Sequence, residues 1–181
     1  MLPITTKRLV LRTLRMDDLD AVHAYRSLPE VMRYLYPQPQ SREQVRDFIA
    51  ERSAIPPMDA QGQRLTLAIE VDGAVTGEAV LIMVSPEQLT GEIGYVVHPD
   101  FAGRGIATEA GREMLRLGFE SYGLRRMIGR LDGRNEPSAR VLARLGMRRE
   151  AHFVQNEFVK GEWADEVVYA MLHHEWHGGR Q

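Results

Sequence analysis

Between Val96 and Ala110 the apolar pattern switches from the period of a strand to that of a helix, and the switch runs through Gly103-Arg104-Gly105. A strand that enters a helix through a glycine turn leaves the first helical N–H groups without intrahelical partners. They sit at the positive end of the helix dipole, where an anion gains several hydrogen bonds. Gly103 and Gly105 let the backbone approach such a ligand closely, Ala107 and Thr108 are small and keep the entrance open, and the Thr108 hydroxyl adds a donor. Glycines here can also serve the turn alone, so the rest of the chain has to decide what the turn is for.

Upstream, period-two patterns predict strands over Arg8–Leu14, Leu65–Val71, Ala74–Val84 and Gly91–Val97, with Asp72-Gly73 as a tight hairpin turn. Asp17 and Asp18 open a short helix. Ser41 with Gln44 has the form of a capping box ahead of the Val45, Phe48, Ile49 stripe, and Pro56-Pro57 ends that helix. Downstream, Ile106, Ala110, Met114 and Leu117 form one helical stripe, widened by Ala107, Leu115 and Phe119. Arg126–Leu131 reads as a strand, Pro137–Leu145 as a helix stopped by Gly146, and Arg148–Gln155 and Trp163–Leu172 as two strands around Gly161. A strand-helix-strand-helix-strand tail following a meander implies an α/β fold in a single domain, residues 1–181, built on a mixed sheet with helices on both faces.

Composition excludes several chemistries. With no cysteine, the chain has neither disulfides nor thiolate metal ligands nor a protein-borne thioester. No apolar run approaches a membrane span and the N-terminus lacks the basic-then-apolar order of a signal peptide, so a cytoplasmic protein without a membrane partner is expected. Residues 101–149 hold eleven arginines against five carboxylates, a local +6, which leaves −8 for the rest of a chain whose net charge is −2. That asymmetry suits a phosphate-bearing ligand and a cationic second substrate. The arginines lack interleaved aromatic residues, so nucleic acid is not expected as a partner.

Three phosphate-binding readings meet at the turn. A Walker-type loop needs Gly-Lys, yet the only lysines are Lys7 and Lys160. A dinucleotide fingerprint needs glycine or alanine at Thr108 and an acidic residue about 20 positions on at a strand end, and survives only as an alternative. Pyridoxal phosphate would need one of the two lysines near a phosphate loop.

The run Gly103-Arg104-Gly105-Ile106-Ala107-Thr108-Glu109-Ala110 resembles the acyl-CoA-binding motif of the GNAT N-acetyltransferase superfamily, although Ala102 stands where that family usually has Gln or Arg. Asn135, Ser138, Val141, Leu142 and Leu145-Gly146-Met147 are similar to the family's next motif. Thr6, Arg8-Leu9, Leu11-Arg12 and the closing Gly161, Trp163, Asp165, Tyr169 and Glu175-Trp176 resemble the ribosomal-protein-alanine N-acetyltransferase branch, so the likeness runs from Thr6 to Trp176.

The resemblance implies a mostly antiparallel sheet with one splayed parallel strand pair. Acetyl-CoA, as co-substrate, would wedge into the splay. Val97 and His98 would give strand-like backbone contacts, residues Gly103, Arg104, Gly105, Ile106, Ala107 and Thr108 would hold the pyrophosphate, and Asn135 and Ser138 would reach the pantetheine. Glu92, on the strand face shared with Gly94 and Val96, is the expected base for a primary amine, a protein N-terminus or a small molecule, that attacks directly. Burial is expected to raise its pKa, or a water to relay the proton. The N–H of Val96 or Val97 would stabilise the oxyanion. Relatives place a tyrosine as general acid where this chain has Leu142, so Ser138 is the nearest substitute.

The acceptor wall is expected from loops at residues 29–40, 55–64 and 156–162, and the protein as a monomer or homodimer. His173, His174 and His177 lack a further ligand, so no metal is expected. A non-catalytic acyl-CoA-binding module remains the other alternative.

Overall fold

The computed structural model describes residues 2–176. The strands are β1 (Ile4–Thr5), β2 (Val10–Thr13), β3 (Arg64–Val71), β4 (Ala74–Ser85), β5 (Thr90–Val97), β6 (Arg126–Asp132), β7 (Arg148–Val159) and β8 (Glu162–Leu172). The helices are α1 (Leu19–Arg26), α2 (Pro29–Met32), α3 (Arg42–Arg52), α4 (Ile106–Arg116) and α5 (Glu136–Arg144). All eight strands join one sheet in the order β1-β2-β3-β4-β5-β6-β8-β7, and every pair is antiparallel except β5 with β6. A doubly wound parallel sheet, which a dinucleotide-binding domain requires, is therefore not the architecture.

Strand alternation sends side chains to two cores. On one face Leu67, Ile69, Leu81, Ile93 and Met127 pack beneath Ile106, Ala110, Met114 and Leu115 of α4 and Leu142 of α5. On the other, Ala68 and Val96 meet α1 and α3 through Leu19, Val22, Tyr25, Val45 and Ile49. Beneath α1, Arg26 pairs with buried Glu78, which also accepts from the Tyr25 hydroxyl at 2.8 Å.

Local signals act as their chemistry requires. Ser41 Oγ accepts from the Gln44 N–H at 3.3 Å while Gln44 Oε1 accepts from the Ser41 N–H at 2.8 Å, and α3 follows. Asp72 and Gly73 take the left-handed φ values of 50° and 81° between β3 and β4, as a two-residue hairpin turn demands. Other boundaries move. The first predicted strand shortens to β2, α2 appears where no helix was predicted, and α3 stops at Arg52, short of the prolines. The segment at 156–162 is no loop, because β7 and β8 continue to a turn at Lys160-Gly161. Both turn residues there hold positive φ.

Candidate active site

The feature that organises the site is the place where two parallel strands stop pairing. β5 and β6 are in register only at Thr90 with Arg126, Gly91 with Met127 and Glu92 with Ile128. Beyond Glu92, β5 continues to Val97 and β6 to Asp132 without further pairing, so a wedge opens between them. On its other side β5 keeps its register with β4 as far as Val97. The His98 N–H donates to Thr76 O at 2.8 Å, and by the alternation of an antiparallel ladder the amides of Val96 and Gly94 also turn towards β4. Those of Ile93, Tyr95 and Val97 then face the wedge. Of the two amides expected to meet an oxyanion, only that of Val97 is on this side.

The sheet carries a cavity on each face of the wedge. The larger, a groove of about 540 Å³, runs between the end of β5, the glycine turn and α5. Eight of the ten residues expected to hold the cofactor line it, all but His98 and Arg104. His98 is a correction: its N–H is committed to Thr76, its carbonyl accepts from Phe101 N, and its Nδ1 accepts from Asp100 N at 3.2 Å, so it builds the turn. The Arg104 guanidinium lies 5.2 Å from the centroid of the Phe101 ring, and its carbonyl accepts from Arg8 Nη1 at 2.6 Å.

The turn itself fits a diphosphate. Gly103 and Gly105 have φ of 74° and 79°, in the left-handed region that disfavours side chains. A Cβ on Gly103 would meet nothing within 4 Å, so that surface is open. A Cβ on Gly105 would come within 3.2 Å of Arg8 Nη2, so the back of the turn rests on Arg8. Arg8 also donates from Nε to Glu109 at 2.7 Å, and the Thr6 hydroxyl donates to the same carboxylate at 2.6 Å. Burial pushes the Glu109 carboxyl up, but the hydrogen bonds from Thr6 and Arg8 outweigh it and leave it below its ordinary value. The N-terminal segment thus clamps the first turn of α4.

Across the groove, Asn135 caps α5 by accepting from the Ser138 N–H at 3.2 Å, and its side-chain amide is left to donate. The Tyr95 hydroxyl donates to Ser138 O at 3.0 Å, a strut from β5 to α5 that sequence reading missed. Burial pushes this phenol well above its usual range.

The second cavity, about 180 Å³, lies on the opposite face and is bordered by Glu92, Arg130, Glu157 and Glu166. Tyr34 and Leu35, in the chain between α2 and α3, line both cavities. Glu92 stands at the wedge vertex with its side chain 12% exposed, and Oε2 accepts from Arg130 Nε at 3.0 Å and Nη2 at 2.8 Å. An arginine therefore fills part of the surroundings of Glu92. The cavity wall is clasped shut where the Tyr36 hydroxyl meets Glu157 at 2.7 Å and Lys160 reaches Met32 O. Residues from 29–40 and 156–162 border this cavity, whereas 55–64 border neither cavity.

Arg130, Glu157 and Glu166 were not anticipated. Alternation along β6 puts Arg130 on the face of Arg126 and Ile128, but only the β5–β6 register reveals that Glu92 is beside it. Among the described residues no three His, Asp or Glu side chains are grouped to hold a metal ion, and no helix is long and apolar enough to cross a membrane. His173 stacks on Phe119 at 5.5 Å, and His177 lies outside the described residues.

Residues 8–148 match the family described as Acetyltransferase (GNAT) domain. The chain is 32% identical to the uncharacterized N-acetyltransferase YnaD of Bacillus subtilis over 96% of its own length and 98% of that protein. Its fold superposes on a GNAT-family acetyltransferase from Bacillus anthracis with a TM-score of 0.85 and 32% identity, covering 95% of this chain and 99% of that one. At 21% identity the fold also matches RimL, a ribosomal L7/L12 alpha-N-protein acetyltransferase in complex with coenzyme A, with a TM-score of 0.79 over 94% and 97% of the two chains.

Proposed function

Because this chain belongs to the GNAT acetyltransferase family and is an N-acetyltransferase, we propose that its single domain works in the cytoplasm. There it would transfer an acetyl group from acetyl-CoA to a primary amine, a protein N-terminus or a small molecule, by direct attack in a ternary complex. The observation that carries this reading is the wedge beyond Glu92, with an open glycine turn on one face and a carboxylate-lined cavity on the other. Two substrates entering from opposite faces would meet there.

Acetyl-CoA, when bound, supplies an acetyl group on a thioester. The amides around Gly103, Gly105 and Ile106 would receive its pyrophosphate, and the Arg104 side chain would stay at the rim of the turn. The free backbone groups of Tyr95 and Val97 would pair with its pantetheine, joined by the Asn135 amide. An amine with a pKa near 8 or 10.4 arrives largely protonated, so it must lose a proton before its nitrogen can bond to carbon. Glu92 takes that proton directly or through a water. Arg130 holds Oε2 and leaves Oε1 to accept. As the C–N bond forms and the C–S bond breaks, the Val97 N–H stabilises the carbonyl oxygen. The second proton, which the nitrogen loses as the amide forms, passes through the Ser138 hydroxyl or a water that it holds to the departing thiolate.

Release of free CoA thiol, measured over a panel of primary amines, tests this assignment. Glu92→Gln should lower kcat by about 10²–10⁴ while leaving acetyl-CoA affinity within about threefold. Unchanged turnover in that variant would remove Glu92 from the mechanism.

A further inference from the structure

The cavity on the acceptor side contains more negative charge than its own cations satisfy. Of the four cations that line it, Arg134 is engaged with Asp132 and Glu162, Arg130 is engaged with Glu92, the Arg33 guanidinium lies over the Tyr34 ring, and Lys160 donates to Met32 O. Asp165 is matched by His152 and the Gln155 N–H. Two carboxylates are left. Glu157 receives only the Tyr36 hydroxyl, and Glu166 accepts from Asn156 Nδ2 at 2.8 Å through Oε2. Glu166 Oε1 is buried and has no hydrogen-bond partner, in a residue only 7% exposed that lines the cavity. The nearest cation, Arg130 Nη1, lies 3.6 Å away, too far for a hydrogen bond.

Resting on the transferase reading, we propose that Glu166 and Glu157 form a second cation site in the acceptor cavity. It would hold an ammonium group of the acceptor other than the reacting amine. The substrate class is then a diamine-like molecule with two separated cationic nitrogens.

A buried carboxylate oxygen without a donor is costly, and a charged N–H donor is the partner that relieves it best. Burial first, and then repulsion from Glu157, raise the Glu166 carboxyl, which is the response expected where a cation is missing. A metal ion does not suit the arrangement, because these side chains are not grouped as a ligand set. The site is also distinct from the reacting position. On β6 the partner of Glu92 is Ile128 and that of Glu166 is Asp132, so the two carboxylates enter the cavity at different depths along the wedge. The Arg130 guanidinium lies between them. A flexible chain bearing an amine at each end spans such a pair.

Calorimetric titration of n-butylamine, butane-1,4-diamine and its longer homologues tests the site, both into the protein alone and into its CoA complex. At least one diamine should bind about tenfold or more tightly than n-butylamine, and Glu166→Gln and Glu157→Gln should each reduce that preference to within about threefold. A normal thermal shift with acetyl-CoA would certify that each variant is folded. Diamines that bind no better than n-butylamine, or a preference that survives both substitutions, would overturn the site. Thiol release reads the transferase assignment separately. Equal turnover of monoamine and diamine would leave the enzyme reading intact without the cation site, whereas selective diamine binding with no thiol release would do the reverse.

Discussion

Gly77 offers a direct test of whether the wedge positions the cofactor. It lies on β4 opposite Val97, and a Cβ placed there would sit 2.2 Å from Val96 O, 3.0 Å from Val97 Cα and 3.2 Å from Val96 C. All three atoms are backbone, so no side chain can swing aside. Gly77→Ala must move the end of β5 by about 1 Å to restore an ordinary contact, or stretch the β4–β5 ladder by as much. Overpacking of this kind costs about 1–3 kcal/mol, and for a domain of this size each kcal/mol lowers Tm by about 2–4 °C. The displaced segment is also the one whose Val97 amide faces the groove. The folded variant should therefore bind acetyl-CoA about tenfold or more weakly, and lose up to about 10²-fold in kcat if the thioester is misaimed by the same distance. Calorimetric titration with acetyl-CoA and thermal unfolding measure the two effects separately. Gly62→Ala is the matched control for lost glycine, because its Cβ meets nothing, only the left-handed φ of 84° opposes it, and it borders neither cavity. If Gly77→Ala retains wild-type Tm and acetyl-CoA affinity, the wedge is not a rigid template and the reasoning fails.

Glu166→Gln should stabilise the free protein by about 1 kcal/mol at neutral pH by removing a buried, unpartnered charge. Because the folded-state pKa of Glu166 is raised, the folded chain keeps a proton that the unfolded chain has already lost. Stability is thus greatest below the ordinary carboxylate range and falls as pH rises through the raised value. The variant should match wild type in urea unfolding at acid pH and exceed it at neutral pH, and a constant difference would refute this. Arg8→Ala removes the donor to Arg104 O and the partner of Glu109. We expect acetyl-CoA affinity to fall about fivefold with little change in the KM of the amine, and an unchanged dissociation constant would show that the turn needs no support. Arg26→Leu strands buried Glu78 with only the Tyr25 hydroxyl, and chemical unfolding should report a loss of about 3–5 kcal/mol. A loss below about 1 kcal/mol would mean that the pair is better hydrated than its burial implies.

Features whose chemistry closes within a few residues were legible in the sequence. The Ser41–Gln44 box, the Asp72-Gly73 turn, the Asn135 cap and the glycine entrance to α4 each depend on dihedral preferences and hydrogen bonds inside one short segment. Alternation and helical stripes likewise told which side of each element is apolar, so the mixed sheet with helices on both faces could be foreseen. The resemblance of the glycine run and the Asn135 segment then located the groove.

What remained hidden depends on chain segments far apart in sequence. Glu92 and Arg130 are 38 residues apart, and nothing local says that pairing ends beside them and opens a wedge. Glu166 enters from β8, Tyr36 reaches Glu157 across 121 residues, and His98 is withdrawn from the groove by a bond to Thr76 on the neighbouring strand. The sequence by itself determined where glycine lets the backbone turn into α4 and which polar side chains lie on β5 and at the start of α5. Only the tertiary structure decided which charges face each other, because strand register is set by packing summed over the whole sheet and no single residue encodes it.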